Sequence, residues 1–446
     1  MQLKVETTYR QILGMALPIS MAMLVPQINF ITNTIFLSGL GELELACAGI
    51  TGVYYLIFAV IGNGLNNGLQ ALISRRAGQG LPKEIGQFFI HGIGIAIVFA
   101  FTGIVVTYTV SPLILSHVIH NAAIADKVIS FIHIRVWGLP ILYLYVLNNS
   151  LLVGTNQTRL IVWGTLSETV ANIFFDYSFI YGHFGFKAMG FNGAAYASIL
   201  AETFGLMMIY LVIHIKKLHE AFFFFEGMKF RMETVKTILI RSSPLIAQYV
   251  ISIISWEYFY ILLEHHGERA LAISNTMRNI FGMFGIFAWA FASTANSMVS
   301  NIIGQGREDE VVFLIKRITK LSFSFALGVF IILNFIPEWF LTIYGQQQEF
   351  VQEAIPVMRI VSFALLLMSV GTVWLNSVAG TGNTVVNLTI EFVTISIYCV
   401  YVYFVVEYWN LSIRWGWISE WVYWISMFSM AYYYIQSGKW RRNSAM

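Results

Sequence analysis

Charge is scarce in this chain. Asp, Glu, Lys and Arg make up 11% of its 446 residues, against 57% hydrophobic side chains, a balance that no soluble domain of this length needs. Cysteine is scarcer still. Cys47 and Cys399 both fall in apolar runs without metal-type spacing, which argues against a disulfide framework or a zinc site and leaves them as small apolar fillers. No Walker-type glycine loop is present, nor any clustered His, Asp, Glu or Cys set of catalytic character. The chain is therefore not read as an enzyme, and no cofactor or metal is expected. The alternation of a membrane barrel is missing as well.

What the chain does have is apolar length. Runs of roughly 20 residues, each able to cross about 30 Å of hydrocarbon as helix, recur at about 9–37, 44–72, 84–110, 126–152, 158–181, 190–215, 235–263, 270–300, 310–335, 350–378, 384–407 and 410–436. The expected fold is all-α: a polytopic membrane protein with twelve transmembrane helices in two pseudo-symmetric six-helix bundles. The first run follows Glu6, lacks a small-residue cleavage site and is read as a retained span, not a signal peptide. Basic residues crowd one set of loops, among them Arg75, Arg76, Lys83, Lys216, Lys217, Lys229, Arg231 and Lys236; the other side keeps Lys127, Lys187, Arg269 and Arg414. That asymmetry puts both termini in the cytoplasm, with the chain in the cell (inner) membrane. It also makes the basic linker a topology signal and not a nucleic-acid patch.

The chain also repeats itself. Shifted by 226 positions, residues 41–80 lie on 267–306 without a gap, pairing Phe58 with Phe284, Ser74 with Ser300 and Gly78-Gln79-Gly80 with Gly304-Gln305-Gly306. The same shift carries Gly154-Thr155 onto Gly380-Thr381. Many transporters are built by such duplication. The boundaries read as an amino-terminal six-helix lobe at 1–215, a cytoplasmic linker at 216–234 and a carboxy-terminal six-helix lobe at 235–446.

The pattern Ala16-Leu-Pro-Ile19, Asn33-Thr34, Gly39-Leu-Gly41, Leu45-Ala46 and Gly78-Gln79-Gly80, repeated in the second half, resembles the multidrug and toxic compound extrusion (MATE) family. The Gly-x-x-x-Asp-Arg-x-Gly loop of the major facilitator family is not found after the second run. The resemblance covers all twelve spans. It implies two bundles facing a central cavity, and export of organic, often cationic, small molecules against inward flow of protons or sodium by alternating access. Many members hold an Asp fifteen residues after the first-helix proline; counting from Pro18, that place is Asn33 here, and an amide does not titrate near neutral pH. The family's Asn-x-x-x-Asp is matched by Asn172 and Asp176, and its Gly-x-x-Gly-Ala-Ala-x-Ala-Thr by Gly190 to Ser198. The resemblance thus implies an ion-coupling set of Asp176, Asn172, Asn33 and Ser198, with H+ or Na+ as the ion. The plain alternative is that Asp176 reaches outer water.

Other acids and bases stand out by their depth in apolar runs. Glu257 and Arg278 each lie roughly 12–14 Å from the turn at 265–269 at 1.5 Å per residue, which makes them an expected ion pair. Their role is left open between structure, gate and cation site. Glu168, Glu391 and Glu420 are candidates for a substrate cavity, Glu420 because it sits in an aromatic stretch, Trp417 to Trp424. Arg135 and Arg359, at nearly equivalent places in the two halves, also need carboxylate partners, with Glu168, Glu202, Glu391 and Glu420 available. Pro18 and Pro26 are candidate kinks of the first helix, although Pro18 also suits a first turn. His265 and His266 read as surface residues before metal ligands. The expected partners are a small-molecule organic substrate and membrane lipid, with no nucleic acid and a monomeric chain. The alternatives are a lipid-linked oligosaccharide flippase or, from a different class, a membrane-embedded enzyme.

Overall fold

A computed structural model describes all residues except 1, 120, 227–228, 343–347 and 444–446. Among the described residues there is no strand. Twelve long helical rods follow one another: α1 (Tyr9–Ser38), α2 (Glu42–Gln79), α3 (Pro82–Thr109), α4 (Ala122–Gly154), α5 (Ile161–Tyr181), α6 (Phe191–Ile215), α7 (Met232–Glu264), α8 (Glu268–Gly304), α9 (Val311–Phe335), α10 (Gln348–Gly380), α11 (Thr384–Tyr408) and α12 (Ser419–Gln436). Ten of them are long and apolar enough to cross a membrane. The two that fall short, α5 and α12, carry the acids Glu168 and Asp176, and Glu420, which lower their hydropathy. This is a multi-pass membrane protein with the twelve-helix, two-lobed architecture expected. α4 is interrupted by a 3-10 turn at Val136–Gly138 just ahead of Pro140, whose ring cannot continue the hydrogen-bond ladder. α11 ends in a π turn at Tyr403–Tyr408.

The repeat is visible in the backbone. Gly41 and Gly267 precede α2 and α8 with φ of 140° and 92°, and Gly80 and Gly306 follow them with φ of 72° and 76°. Those left-handed conformations exclude most side chains, which is why the duplicated glycines mark both ends of both helices.

The chain forms two compact units: a carboxy unit of Met1–Ser20 with Ala247–Met446, and an amino unit of Met21–Ile246. α1 and α7 each contribute to both. Pro18 and Pro244 are related by the same shift of 226, and each lies two residues before the point at which its helix changes unit. Helical backbone continues through Pro18, Pro26 and Pro244. Pro18 is therefore not in a first turn, since α1 begins at Tyr9.

In the carboxy unit, the segment before α1 is strapped to the end of α8. Val5 N–H donates to Asn301 Oδ1 at 3.1 Å, Asn301 Nδ2 to Leu3 O at 2.9 Å and Gln305 Nε2 to Val5 O at 2.9 Å, while an Arg317 N–H reaches Thr7 O at 2.8 Å. Gln305 belongs to the repeated Gly-Gln-Gly turn, whose amino-half Gln79 instead accepts from Arg76 at 2.6 Å.

In the amino unit, α2 meets the first half of α7 through glycine. A Cβ at Gly64 would lie 2.6 Å from the Ile246 Cα, and one at Gly68 2.9 Å from the Ser242 Cα. Backbone cannot yield as a side-chain tip does. Gly64→Ala is expected to cost about 1–3 kcal/mol, the usual range for overpacking, and to lower the thermal unfolding midpoint in detergent; an unchanged midpoint would refute the contact.

Candidate functional site

Each unit encloses its own polar cavity. In the amino unit, a cavity of about 330 Å³ is bounded by Pro26, Asn29 and Asn33 of α1, Arg135 of α4, Glu168 and Asn172 of α5, and Ser198 and Glu202 of α6. α5 positions its share by helical period, because residues four apart share a face. Asp176, one turn beyond Asn172, is fully buried and is not part of the cavity wall. Tyr181 donates to the Phe36 carbonyl at 2.6 Å and so ties the end of α5 to the end of α1.

The oxygens of this cluster have little to bind. Asn29 Oδ1, Asn33 Oδ1, Asn172 Oδ1 and both carboxylate oxygens of Asp176 are buried without a hydrogen-bond partner among the described residues. A buried acceptor normally finds a donor, since leaving one unsatisfied costs about 1–3 kcal/mol. A carboxylate beside amide and hydroxyl oxygens suits a small hard cation, and a buried carboxyl suits a proton. Asn33, Asn172 and Ser198 are thus brought to one cavity with Glu168, and Asp176 to the adjoining turn.

Arg135 is satisfied inside the same unit. Its guanidinium makes a two-armed contact with Glu202, one N–H reaching Oε2 at 3.0 Å, and lies 3.8 Å from the centre of the Tyr55 ring. Glu168 lines the same cavity as this pair. Arg359 differs from its counterpart: it is exposed and needs no buried carboxylate.

In the carboxy unit, a cavity of about 280 Å³ is walled by Trp256, Phe281, Trp289, Tyr398, Tyr423 and Trp424 and contains two carboxylates. Glu391 of α11 accepts from the Ser252 and Tyr423 hydroxyls. Glu420, in the first turn of α12 where the helix dipole favours an anion, accepts from two indoles. Trp256 Nε1 donates to Oε1 at 3.1 Å and Trp424 Nε1 to Oε2 at 3.0 Å. Both acids are almost fully buried. Among the described residues no Lys, Arg or His lies on this wall, so the charge is held by neutral donors and aromatic faces, a setting that attracts cations.

Glu257 and Arg278 are not an ion pair. Among the described residues neither takes part in one; Arg278 instead lies 4.7 Å from the centre of the Tyr260 ring. Tyr260 is one turn along α7 from Glu257, and its π face offers the guanidinium a partner that requires no buried counter-charge. His265 and His266 fasten the α7–α8 turn to α11, through Glu407 Oε2 at 2.8 Å and the Val406 carbonyl at 3.0 Å. No metal-type cluster occurs among the described residues.

The MatE family profile matches residues 18–178 and, a second time, 244–404. This chain belongs to the MatE family. The two matches start 226 residues apart, the offset of the internal repeat. The probable multidrug resistance protein NorM of Thermotoga maritima is 23% identical over 443 residues, spanning 98% of this chain and 94% of that one. The protein of the same name from Synechocystis sp. is 27% identical over 227 residues, and this chain matches about half of it: 48% of that protein and 49% of this one. Among solved structures, MATE in complex with MaL6 superposes with a TM-score of 0.90 at 18% identity over 98% of both chains. A MOP superfamily transporter from Pyrococcus furiosus gives 0.87 at 18%, over 99% of this chain and 97% of that one. At these identities the likeness is one of fold.

Within this MatE chain, two features escaped the sequence. The indole clamp on Glu420 joins α7 to α12, 164 positions apart, and the orphaned Asn29 oxygen had only its place one turn before Asn33 to signal it.

Proposed function

We propose that this MatE-family protein is a secondary antiporter that exports organic, cationic or amphipathic small molecules by alternating access in exchange for protons or sodium. The observation that carries the reading is an aromatic cavity holding Glu391 and Glu420 with no cationic side chain on its wall among the described residues. That cavity suits the substrate. The oxygen cluster at Asn29, Asn33, Asn172 and Asp176 suits the coupling ion, with Asp176 as the one carboxylate among them because Asn33 cannot titrate. A ligand drives the cycle only if it binds two conformations with different affinity; about 5.5 kcal/mol turns a 1:99 balance into 99:1. The name of the Thermotoga maritima relative, a probable multidrug resistance protein, agrees with this reading. The basic loop asymmetry favours both termini in the cytoplasm, and one chain holds both cavities, as a monomeric transporter requires.

The test is efflux of a fluorescent organic cation from proteoliposomes under an imposed proton gradient, then a sodium gradient. The intact protein is expected to respond to one of the two, and Asp176→Asn to bind the cation yet lose the gradient response. An Asp176→Asn protein that couples normally would move the coupling site elsewhere. Absence of any gradient-driven flux in the intact protein would overturn the antiporter reading itself.

A further inference from the structure

A third hollow, in the amino unit, belongs to neither site. It is a groove of about 440 Å³ between α3 and the chain entering α7, walled by Ile95, Val98 and Phe99 on one side and Phe230, Val235 and Leu239 on the other. Its floor is open at Gly94, where an added Cβ would meet nothing within 4 Å. His91 sits at the rim: one ring nitrogen contacts the Gln87 carbonyl at 2.7 Å and Nε2 accepts from the Arg231 backbone N–H at 2.9 Å. That bond fixes Arg231 at the mouth, where its guanidinium also reaches Gln87 Oε1 at 3.3 Å.

The mouth is basic. Lys229, Arg231 and Lys236 are exposed and, among the described residues, make no ion pair; the one acid in this stretch is Glu233, whereas the neighbouring Lys83 is already paired with Glu226 at 3.1 Å. The sequence Lys229-Phe230-Arg231-Met232 alternates cation with apolar residue, and Phe230 and Met232 are 72% and 65% exposed. Such alternation is the pattern of a segment at the membrane interface, with apolar groups toward the tails and cations toward the headgroups. We propose that this groove holds an acyl chain of an anionic phospholipid, whose phosphate rests on Lys229, Arg231 and Lys236. An apolar wall alone would accept any lipid tail; three exposed cations flanking that wall in the chain, none in an ion pair among the described residues, select the anionic headgroup.

Native mass spectrometry of the full chain, titrated with phosphatidylglycerol or with phosphatidylcholine of the same acyl chains, decides it. The wild type is expected to retain phosphatidylglycerol where it sheds phosphatidylcholine. Removing the cations (Lys229→Ala, Arg231→Ala and Lys236→Ala together) should reduce that preference by about fivefold for each cation lost. Gly94→Trp should abolish retention of the lipid, and Val98→Trp, at a position 62% exposed on the same wall, gives a second blocking variant should the first fold poorly. Equal retention of the two lipids by the wild type, or undiminished retention in a folded blocking variant, overturns the proposal. Full displacement of phosphatidylglycerol by inorganic phosphate would also overturn it, since the site would then be one for phosphate and not for a lipid.

Discussion

Replacing Arg135 with alanine is expected to cost the amino unit about 3–5 kcal/mol, the usual penalty for stranding one member of a buried ion pair. Glu202 receives two guanidinium N–H groups and is 8% exposed, and the ring of Tyr55 covers the far face of the cation. Loss of the arginine leaves a carboxylate without donors beside a second acid, Glu168. The same physics makes joint removal mild. Arg135→Met with Glu202→Leu replaces both charges with apolar groups of similar length and should recover most of the loss. Thermal unfolding of the wild type, Arg135→Met, Glu202→Leu and the double variant in one detergent measures the coupling. If Arg135→Ala melts with the wild type, the pair is not the closed, dehydrated contact described here.

Glu420→Gln is expected to weaken binding of a monovalent organic cation by about 10- to 100-fold, or roughly 1.4–2.8 kcal/mol, while leaving a neutral analogue of the same shape unaffected. The carboxylate now gives both oxygens to indole N–H donors. An amide can accept only one of these bonds well and must turn its own N–H₂ toward the other indole, so a charge and a hydrogen bond are lost together. Trp256→Phe keeps the aromatic wall and removes one donor; acting only through the position of Glu420, its effect should be smaller and should again fall on the cationic ligand. Fluorescence titration of purified protein with the matched pair of ligands separates the cases. Equal loss for the neutral ligand would mean that Glu420 shapes the cavity and does not attract charge.

The fold could be read from the sequence because its signals are one-dimensional. The 226-residue shift, the glycines that bound α2 and α8 and the apolar lengths all survive without knowledge of packing. The candidate site was legible only as far as spacing along the chain carried it: Asn33, Asn172 and Ser198 line one cavity. Partners were not legible. Glu257 and Arg278 sit at matched distances from their turn, yet depth along a helix does not fix rotation about it, and Arg278 faces Tyr260. Arg135 had four candidate acids, and only the packing of α4 against α6 selects Glu202. The Trp256 clamp on Glu420 depends on a helix crossing that no local pattern encodes.

The exchange of helix segments between the units bears on how the chain can be divided. Cutting the linker at 216–234 separates two polypeptides, but neither would contain a whole unit. The amino fragment would carry residues 9–20 of α1, which complete the carboxy unit, and the carboxy fragment would carry residues 232–246 of α7, which complete the amino unit. Expressed alone, each fragment is left with a half-helix that has no home and a bundle with one wall missing. Expressed together they can restore both units only by trading these arms, so fragment complementation, not independent folding, is the behaviour this architecture dictates.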